Sequence, residues 1–173
     1  MEKATFAGAC FWCTEAIFGM IKGVKKVVSG YAGGDMETPS YEDVSGGDTG
    51  HVEAIQITFD PKIVKYKDLL YFFLKTHDPT TVDRQGADVG SQYRSMIFYH
   101  SEEQKKLAQE ALNEAQKDHR SPIVTQIVPF KSFYKAEGYH QDFYGKNPNA
   151  MYCRIVIDPK IQKLKADFKS YLK

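Results

Sequence analysis

Two features of this chain are equipped for chemistry: a pair of thiols, Cys10 and Cys13, and a carboxylate, Glu53, placed among apolar residues. Gly8-Ala9-Cys10-Phe11-Trp12-Cys13 lies where a short, small-to-apolar run hands over to a helical pattern. A thiol at a helix start feels unpaired N–H groups and the positive end of the helix dipole, both of which favour thiolate. Cys10 is therefore a candidate nucleophile; the alternative is a small buried hydrophobe. Cys-x-x-Cys is also half of a structural zinc site, which needs a second such pair or two spaced histidines. Cys153 stands alone and His51, His77, His100, His119 and His140 form no ligand pair at a fitting spacing, so no metal is expected.

The run Val52 to Phe59 alternates as a strand, which puts Glu53 on one face with Ile55, Ile57 and Phe59. A carboxyl on an apolar face either sits at the strand's exposed end or is desolvated. Desolvation raises its pKa and makes it a proton donor near neutral pH. The eleven tyrosines are less specific; Tyr41 lies in one long loop and Tyr93 follows another. Phe11 and Trp12, the only tryptophan, are neighbours about 100° apart on a helix, so both cannot face one core. At least one is left to border the thiol as an apolar wall for a group such as a methyl.

These residues need elements to hold them. Ala4 to Gly8 reads as a buried strand, Cys10 to Ile21 as a helix and Val24 to Tyr31 as a strand. A Gly/Pro/Ser-rich loop to about Gly50 precedes the Val52–Phe59 strand. Tyr66, Leu69, Leu70 and Phe73 mark an amphipathic helix. His77 to Ser91 has no periodicity, which suits a functional loop. Tyr93 to Tyr99 is a strand, Ser101 with Gln104 a capping box opening a polar helix, and Ile123 to Val128 a short strand. Cys153, Ile155 and Ile157 alternate like a strand before a helix from about Pro159. The order βαββαβ to Tyr99 is the split-βαβ pattern. The expected fold is α+β: a two-layer α/β sandwich with a ferredoxin-like core, a mostly antiparallel sheet, long loops and an extended C-terminal segment. Residues 1–173 read as one domain, with no repeat or composition break.

The bulk properties fit a folded enzyme. Hydrophobic residues make up 42% and charged residues 26%, and the formal net charge is +1. No basic run is interleaved with aromatics, so neither nucleic acid nor an anionic membrane is the expected partner. No apolar run reaches bilayer length and the N-terminus has no secretory pattern. Three cysteines are too few for a disulfide scaffold and suit a reducing compartment, so a cytoplasmic location is expected.

The motifs in order resemble the A-type peptide methionine sulfoxide reductases. They are Gly8-Ala9-Cys10-Phe11-Trp12, Gly30-Tyr31-Ala32-Gly33-Gly34, Tyr41, Thr49-Gly50-His51-Val52-Glu53 and His77-Asp78-Pro79-Thr80. Gln85-Gly86-Ala87-Asp88, Gln92-Tyr93-Arg94-Ser95 and Ala136-Glu137-Gly138-Tyr139-His140-Gln141 follow. The resemblance implies that Cys10 attacks and that Glu53, assisted by the Tyr41 and Tyr93 hydroxyls, protonates or hydrogen-bonds the sulfoxide oxygen. It further implies that Asp88 helps bind substrate and that Phe11 and Trp12 receive its methyl. The implied substrate is the S epimer of methionine sulfoxide, free or in proteins. The implied reductant is thioredoxin or a similar dithiol, with no cofactor and a monomeric chain.

Three positions bear on the resolving thiol. Cys13 and Ser45 stand where many relatives carry a small residue and some an additional cysteine, respectively. Cys153, in Met151-Tyr152-Cys153-Arg154, matches the family's recycling position and is the favoured resolving residue. Cys13 is the alternative, because a Cys-x-x-Cys at a helix start can close a disulfide. Two other functions compete with the reductase. One is a general thiol–disulfide oxidoreductase using Cys10 and Cys13; the other is a non-catalytic peptide-binding module that recognises oxidised methionine or an apolar side chain through Phe11 and Trp12.

Overall fold

The computed structural model describes residues 1–173. Its first half runs β1 (Glu2–Ala7), α1 (Phe11–Gly19), β2 (Val24–Ala32), α2 (Tyr41–Ser45), β3 (Val52–Phe59) and α3 (Tyr66–Thr76). Then come the two-residue strands β4 (Arg84–Gln85) and β5 (Asp88–Val89), β6 (Met96–Tyr99), α4 (Glu102–Ala115), β7 (Gln126–Pro129) and β8 (Phe133–Lys135). Helices α5 (Phe143–Lys146) and α6 (Asp158–Phe168) close the chain. Six strands form one sheet in the order β7-β6-β1-β3-β2-β8, and β4 with β5 makes a separate hairpin. β1 is antiparallel to β3 and β6, and β2 to β3 and β8, whereas β6 and β7 run parallel. The fold is mixed α+β.

Period-two patterning decides what each sheet face buries. Ala4 and Phe6 of β1 and Ile55, Ile57 and Phe59 of β3 enter the main core beneath α1 and α3. Ala7, Val52 and Ala54 point the other way, into a smaller cluster with Ala32, Met96 and Phe98. Helix α1 inserts Phe11, Cys13, Ile17 and Phe18, and α3 inserts Leu69, Leu70 and Phe73. Phe73 stacks on Phe6 with ring centroids 4.9 Å apart. The Asp68 carboxylate accepts the Lys65 backbone N–H at 3.0 Å and starts α3. No helix is long and apolar enough to cross a membrane.

The β1–α1 turn is held on both sides. A side chain at Gly8 would meet Phe73 and His77 at 2.9 Å, so the backbone passes too close for any Cβ. Ala9 takes φ 97°, a conformation L residues rarely adopt, and this aims Cys10 at the start of α1.

Several sequence expectations are corrected. Ser101 accepts the Gln104 backbone N–H at 3.2 Å, but the Gln104 side chain does not return the bond. It accepts from His100 N–H at 2.9 Å and donates to the Lys3 carbonyl at 2.8 Å, tying α4 to β1 instead of completing a capping box. Residues Ser91–Tyr93 form a single 3-10 turn, and the strand expected from Tyr93 begins at Met96. The loop before Val52 contains α2, capped by Ser40 and Asp43. His77 to Ser91 is organised by local bonds: Gln85 pairs with the Asp78 backbone at 2.7 and 2.9 Å, and β4 pairs with β5.

The C-terminal segment is helical, not extended: Cys153–Ile157 forms a π-helical turn continuous with α6. Alternation misled because Cys153, Ile157, Ile161 and Leu164 form one buried helical stripe while Ile155 is exposed.

Candidate active site

Cys10 occupies the N-cap of α1 with β-region dihedrals and is 7% exposed. Facing it is Glu53, the second residue of β3, at 3% exposure. The Phe11 backbone N–H, freed at the helix start, donates to Glu53 Oε2 at 3.3 Å. Burial pushes the Glu53 carboxyl up to about 8; the Asp88 charge adds to this, while Phe11 N–H and the Cys10 thiol pull it down. Of the two settings that alternation left open for Glu53, the structure has the desolvated one, and the carboxyl is largely protonated at neutral pH.

The expectation for Cys10 is reversed. Its thiol is held well above the ordinary value, first by burial, then by the Glu53 and Cys13 charges. The helix start contributes the Trp12 backbone N–H and the tail the Tyr152 hydroxyl, and neither offsets the loss of water. Cys10 and Glu53 therefore act as a coupled acid pair in a dry site. At neutral pH the thiol keeps its proton and the carboxyl largely keeps its own, so the pair is mostly uncharged.

The other expected residues fall at different distances from this pair. Tyr93 is half-buried, with a hydroxyl raised by burial and by the nearby Glu53, Cys10 and Asp88 charges. Tyr41 opens α2, its backbone N–H donating to Glu137 Oε2 at 3.0 Å and its ring lying 4.7 Å from His140. Phe11 is the core-side member of its pair, 1% exposed against Tyr31 and His140. Trp12 is partly exposed and stacks on Phe143 with centroids 3.6 Å apart. Asp88, on β5, is half-buried and accepts from the Tyr152 hydroxyl at 2.8 Å.

The three cysteines are free thiols and all are buried. The Cys13 sulfur is 3.6 Å from Tyr152 Oη, and its thiol is raised by burial. Cys13 is among the groups perturbing Cys10, and Cys153 among those perturbing Cys13. Cys153 is fully buried on the π-helical turn. No group of three or more His, Cys, Asp and Glu side chains is arranged to hold a metal ion.

Three residues of the site escaped the sequence reading. Tyr152 packs edge-on against Trp12, with centroids 5.6 Å apart, and joins Asp88 to Cys13. Glu137 accepts from the Tyr31 hydroxyl at 2.9 Å as well as from Tyr41. His140 accepts the Trp12 indole N–H at 2.9 Å. The only signal for Glu137 and His140 was their place in the matched segment Ala136–Gln141; for Tyr152 it was adjacency to Cys153.

Comparison with known proteins bears on this arrangement. The family model for peptide methionine sulfoxide reductase matches residues 2–172. The peptide methionine sulfoxide reductase MsrA of Sulfolobus acidocaldarius is 54% identical over 168 residues, covering 97% of this chain and 96% of its own. Mxr1 from Saccharomyces cerevisiae in reduced form superposes with a TM-score of 0.81 at 37% identity, covering 88% of each chain. The same yeast protein in complex with Trx2 gives a TM-score of 0.57 at 28% identity, covering 82% of this chain and 84% of that one. With a buried thiol–carboxyl pair at its centre and this likeness along its whole length, the chain belongs to the A-type peptide methionine sulfoxide reductases, oxidoreductases that reduce methionine sulfoxide.

Proposed function

We propose that this protein reduces methionine-S-sulfoxide, free or in proteins, by direct attack of the Cys10 sulfur on the sulfoxide sulfur. The observation that carries the reading is a buried thiol at the start of α1 and a buried carboxyl that accepts, at 3.3 Å, the backbone N–H of the very next residue and is raised by burial to about 8. A sulfoxide sulfur is electrophilic enough for a thiolate only when its oxygen is protonated or strongly hydrogen-bonded. Glu53 supplies that proton, and the Tyr41 and Tyr93 hydroxyls assist at the oxygen. Phe11 and Trp12 wall the methyl, and Asp88 holds the polar part of the substrate.

As the Cys10–sulfur bond forms, the oxygen takes the Glu53 proton and the Cys10 thiol proton passes to the Glu53 carboxylate, so Glu53 ends as it began. Oxygen then passes to Cys10, methionine leaves, and Cys10 becomes a sulfenic acid. Cys153 condenses with it, releasing water and forming a disulfide. This needs the π-helical turn to unwind, and Cys13 is the alternative resolving thiol because it is the nearer neighbour. A dithiol of the thioredoxin type restores the thiols, a reading supported by the Mxr1 complex with Trx2. The same reading takes residues 1–173 as one monomeric, cytoplasmic domain that engages neither nucleic acid nor membrane. Its β1-α1-β2-β3-α3-β6 unit is read as a ferredoxin-like sandwich, supported by the spatial order β6-β1-β3-β2.

The test is one turnover without added reductant, using the separated S and R epimers of a blocked methionine sulfoxide. One equivalent of methionine from the S epimer alone, lost in Cys10→Ser, is the expected result. No methionine from either epimer overturns the reading and favours disulfide exchange, measured by insulin reduction.

A further inference from the structure

Resting on the sulfoxide-reductase reading, we propose that His140 is a positioning residue that holds the Trp12 indole in place as the wall for the substrate's methyl. The two residues are 128 apart in the chain, and the indole N–H meets His140 Nδ1 at 2.9 Å. Indole nitrogen can only donate, so Nδ1 must be unprotonated and the neutral ring carries its proton on Nε2. That Nε2–H is buried and has no hydrogen-bond partner. A buried donor without a partner is costly and uncommon.

The surroundings enforce the same tautomer. His140 is 1% exposed, with its ring 5.0 Å from Phe11, 4.7 Å from Tyr41 and 4.1 Å from Tyr139. Burial lowers its pKa while the Glu137 carboxylate opposes, so the ring is neutral and remains an acceptor at neutral pH. The opposite side of Trp12 is closed by Phe143, stacked at 3.6 Å and 6° from parallel. Stacking fixes the plane of the indole, and Tyr152 meets it edge-on with centroids 5.6 Å apart, but neither packing contact is as directional as a hydrogen bond. The hydrogen bond at Nε1 fixes the indole within that plane, because it has a direction.

Trp12 is the only tryptophan, so its indole N–H gives a single cross-peak in a proton–nitrogen correlation spectrum. Three variants separate positioning from bulk packing. His140→Leu keeps volume but offers no acceptor. His140→Asn puts a carbonyl oxygen close to where Nδ1 stood. Trp12→Phe removes the indole itself. In His140→Leu the cross-peak is expected to move upfield, and KM for the S-sulfoxide to rise several-fold with the saturated single-turnover rate largely kept. This is the signature of lost binding that ground state and transition state share. His140→Asn restores the cross-peak and most of the KM. In the Trp12→Phe background, His140→Leu adds nothing further to KM.

A cross-peak that stays put in His140→Leu, or an equal KM penalty with and without the indole, overturns the proposal. Should His140→Leu not fold, the tautomer of the native protein decides: a proton found on Nδ1 overturns it, one on Nε2 upholds it. The cross-peak and tautomer are read without substrate. A native protein that turned over no sulfoxide would therefore fail the functional reading on its own, separately from this bond.

Discussion

Glu53→Gln removes the ability to ionise at a site where ionisation is unfavourable while keeping the shape and an oxygen for the Phe11 N–H at 3.3 Å. The carboxyl is raised by burial from 4.5 to about 8. At about 1.36 kcal/mol per pH unit, keeping it ionised in the folded protein costs about 5 kcal/mol, within a total stability of typically about 5–15 kcal/mol. A carboxyl whose folded pKa is raised contributes stability that is fully present below the unfolded value and is lost as pH rises through the folded value. The window therefore runs from about pH 4.5 to about pH 8. The native chain should lose stability relative to Glu53→Gln across it, by about 3 kcal/mol at pH 7 and about 5 kcal/mol above pH 8.

Urea unfolding of both chains at pH 4.5 to 9, with the thiols kept reduced, measures the difference directly. Groups that do not feel the Glu53 charge titrate alike in the two proteins and cancel. Single-turnover methionine formation should move oppositely: the glutamine has no proton to give, and loss of about 10²–10⁴-fold is expected. Stability curves that run parallel between pH 5 and 9 would refute the burial argument, whatever happened to the rate.

Two further outcomes follow from the same structure. If Cys153 resolves the sulfenic acid, the acid persists after one turnover in Cys153→Ser and not in Cys13→Ser, as read by a sulfenic-acid trap and intact mass; the reverse pattern assigns the role to Cys13. His77, held down to about 4 chiefly by burial, is neutral in the fold, so its contribution is present above pH 6.5 and lost as pH falls towards 4. The loss is at most about 3 kcal/mol, at about 1.36 kcal/mol per pH unit across that window. His77→Gln should flatten the acid limb of denaturant unfolding between pH 6.5 and 4, and an unchanged slope would show that the limb belongs to other groups.

What could be read from the chain alone was whatever a local pattern encodes. A strand running into a helix at Gly8-Ala9-Cys10 marked the candidate nucleophile and placed it at the helix start, because N-cap position is a property of a few adjacent residues. Alternation over Val52–Phe59 put Glu53 on the face of Ile55, Ile57 and Phe59, because side-chain direction in a strand follows from the backbone, and left open whether that end of the strand was buried. The 3.6-residue stripe of α3 was legible for the same reason. The motif series carried the family and, with it, Tyr41, Tyr93 and Asp88, which no spacing would have singled out.

Tertiary structure decided what depends on partners far along the chain. The Cys153 region has both a period-two and a helical stripe, and packing of Ile157, Ile161 and Leu164 into one core selected the helix. Gln104 left its expected capping partner because the Lys3 carbonyl, on β1, was within reach. His140 met Trp12, and Tyr152 met Asp88 and Cys13, across separations that no periodicity registers. The charge state of Cys10 was also decided there. A helix start favours thiolate, but the local dipole competes with burial and a neighbouring carboxyl, and the surrounding fold alone determines how much water the thiol keeps.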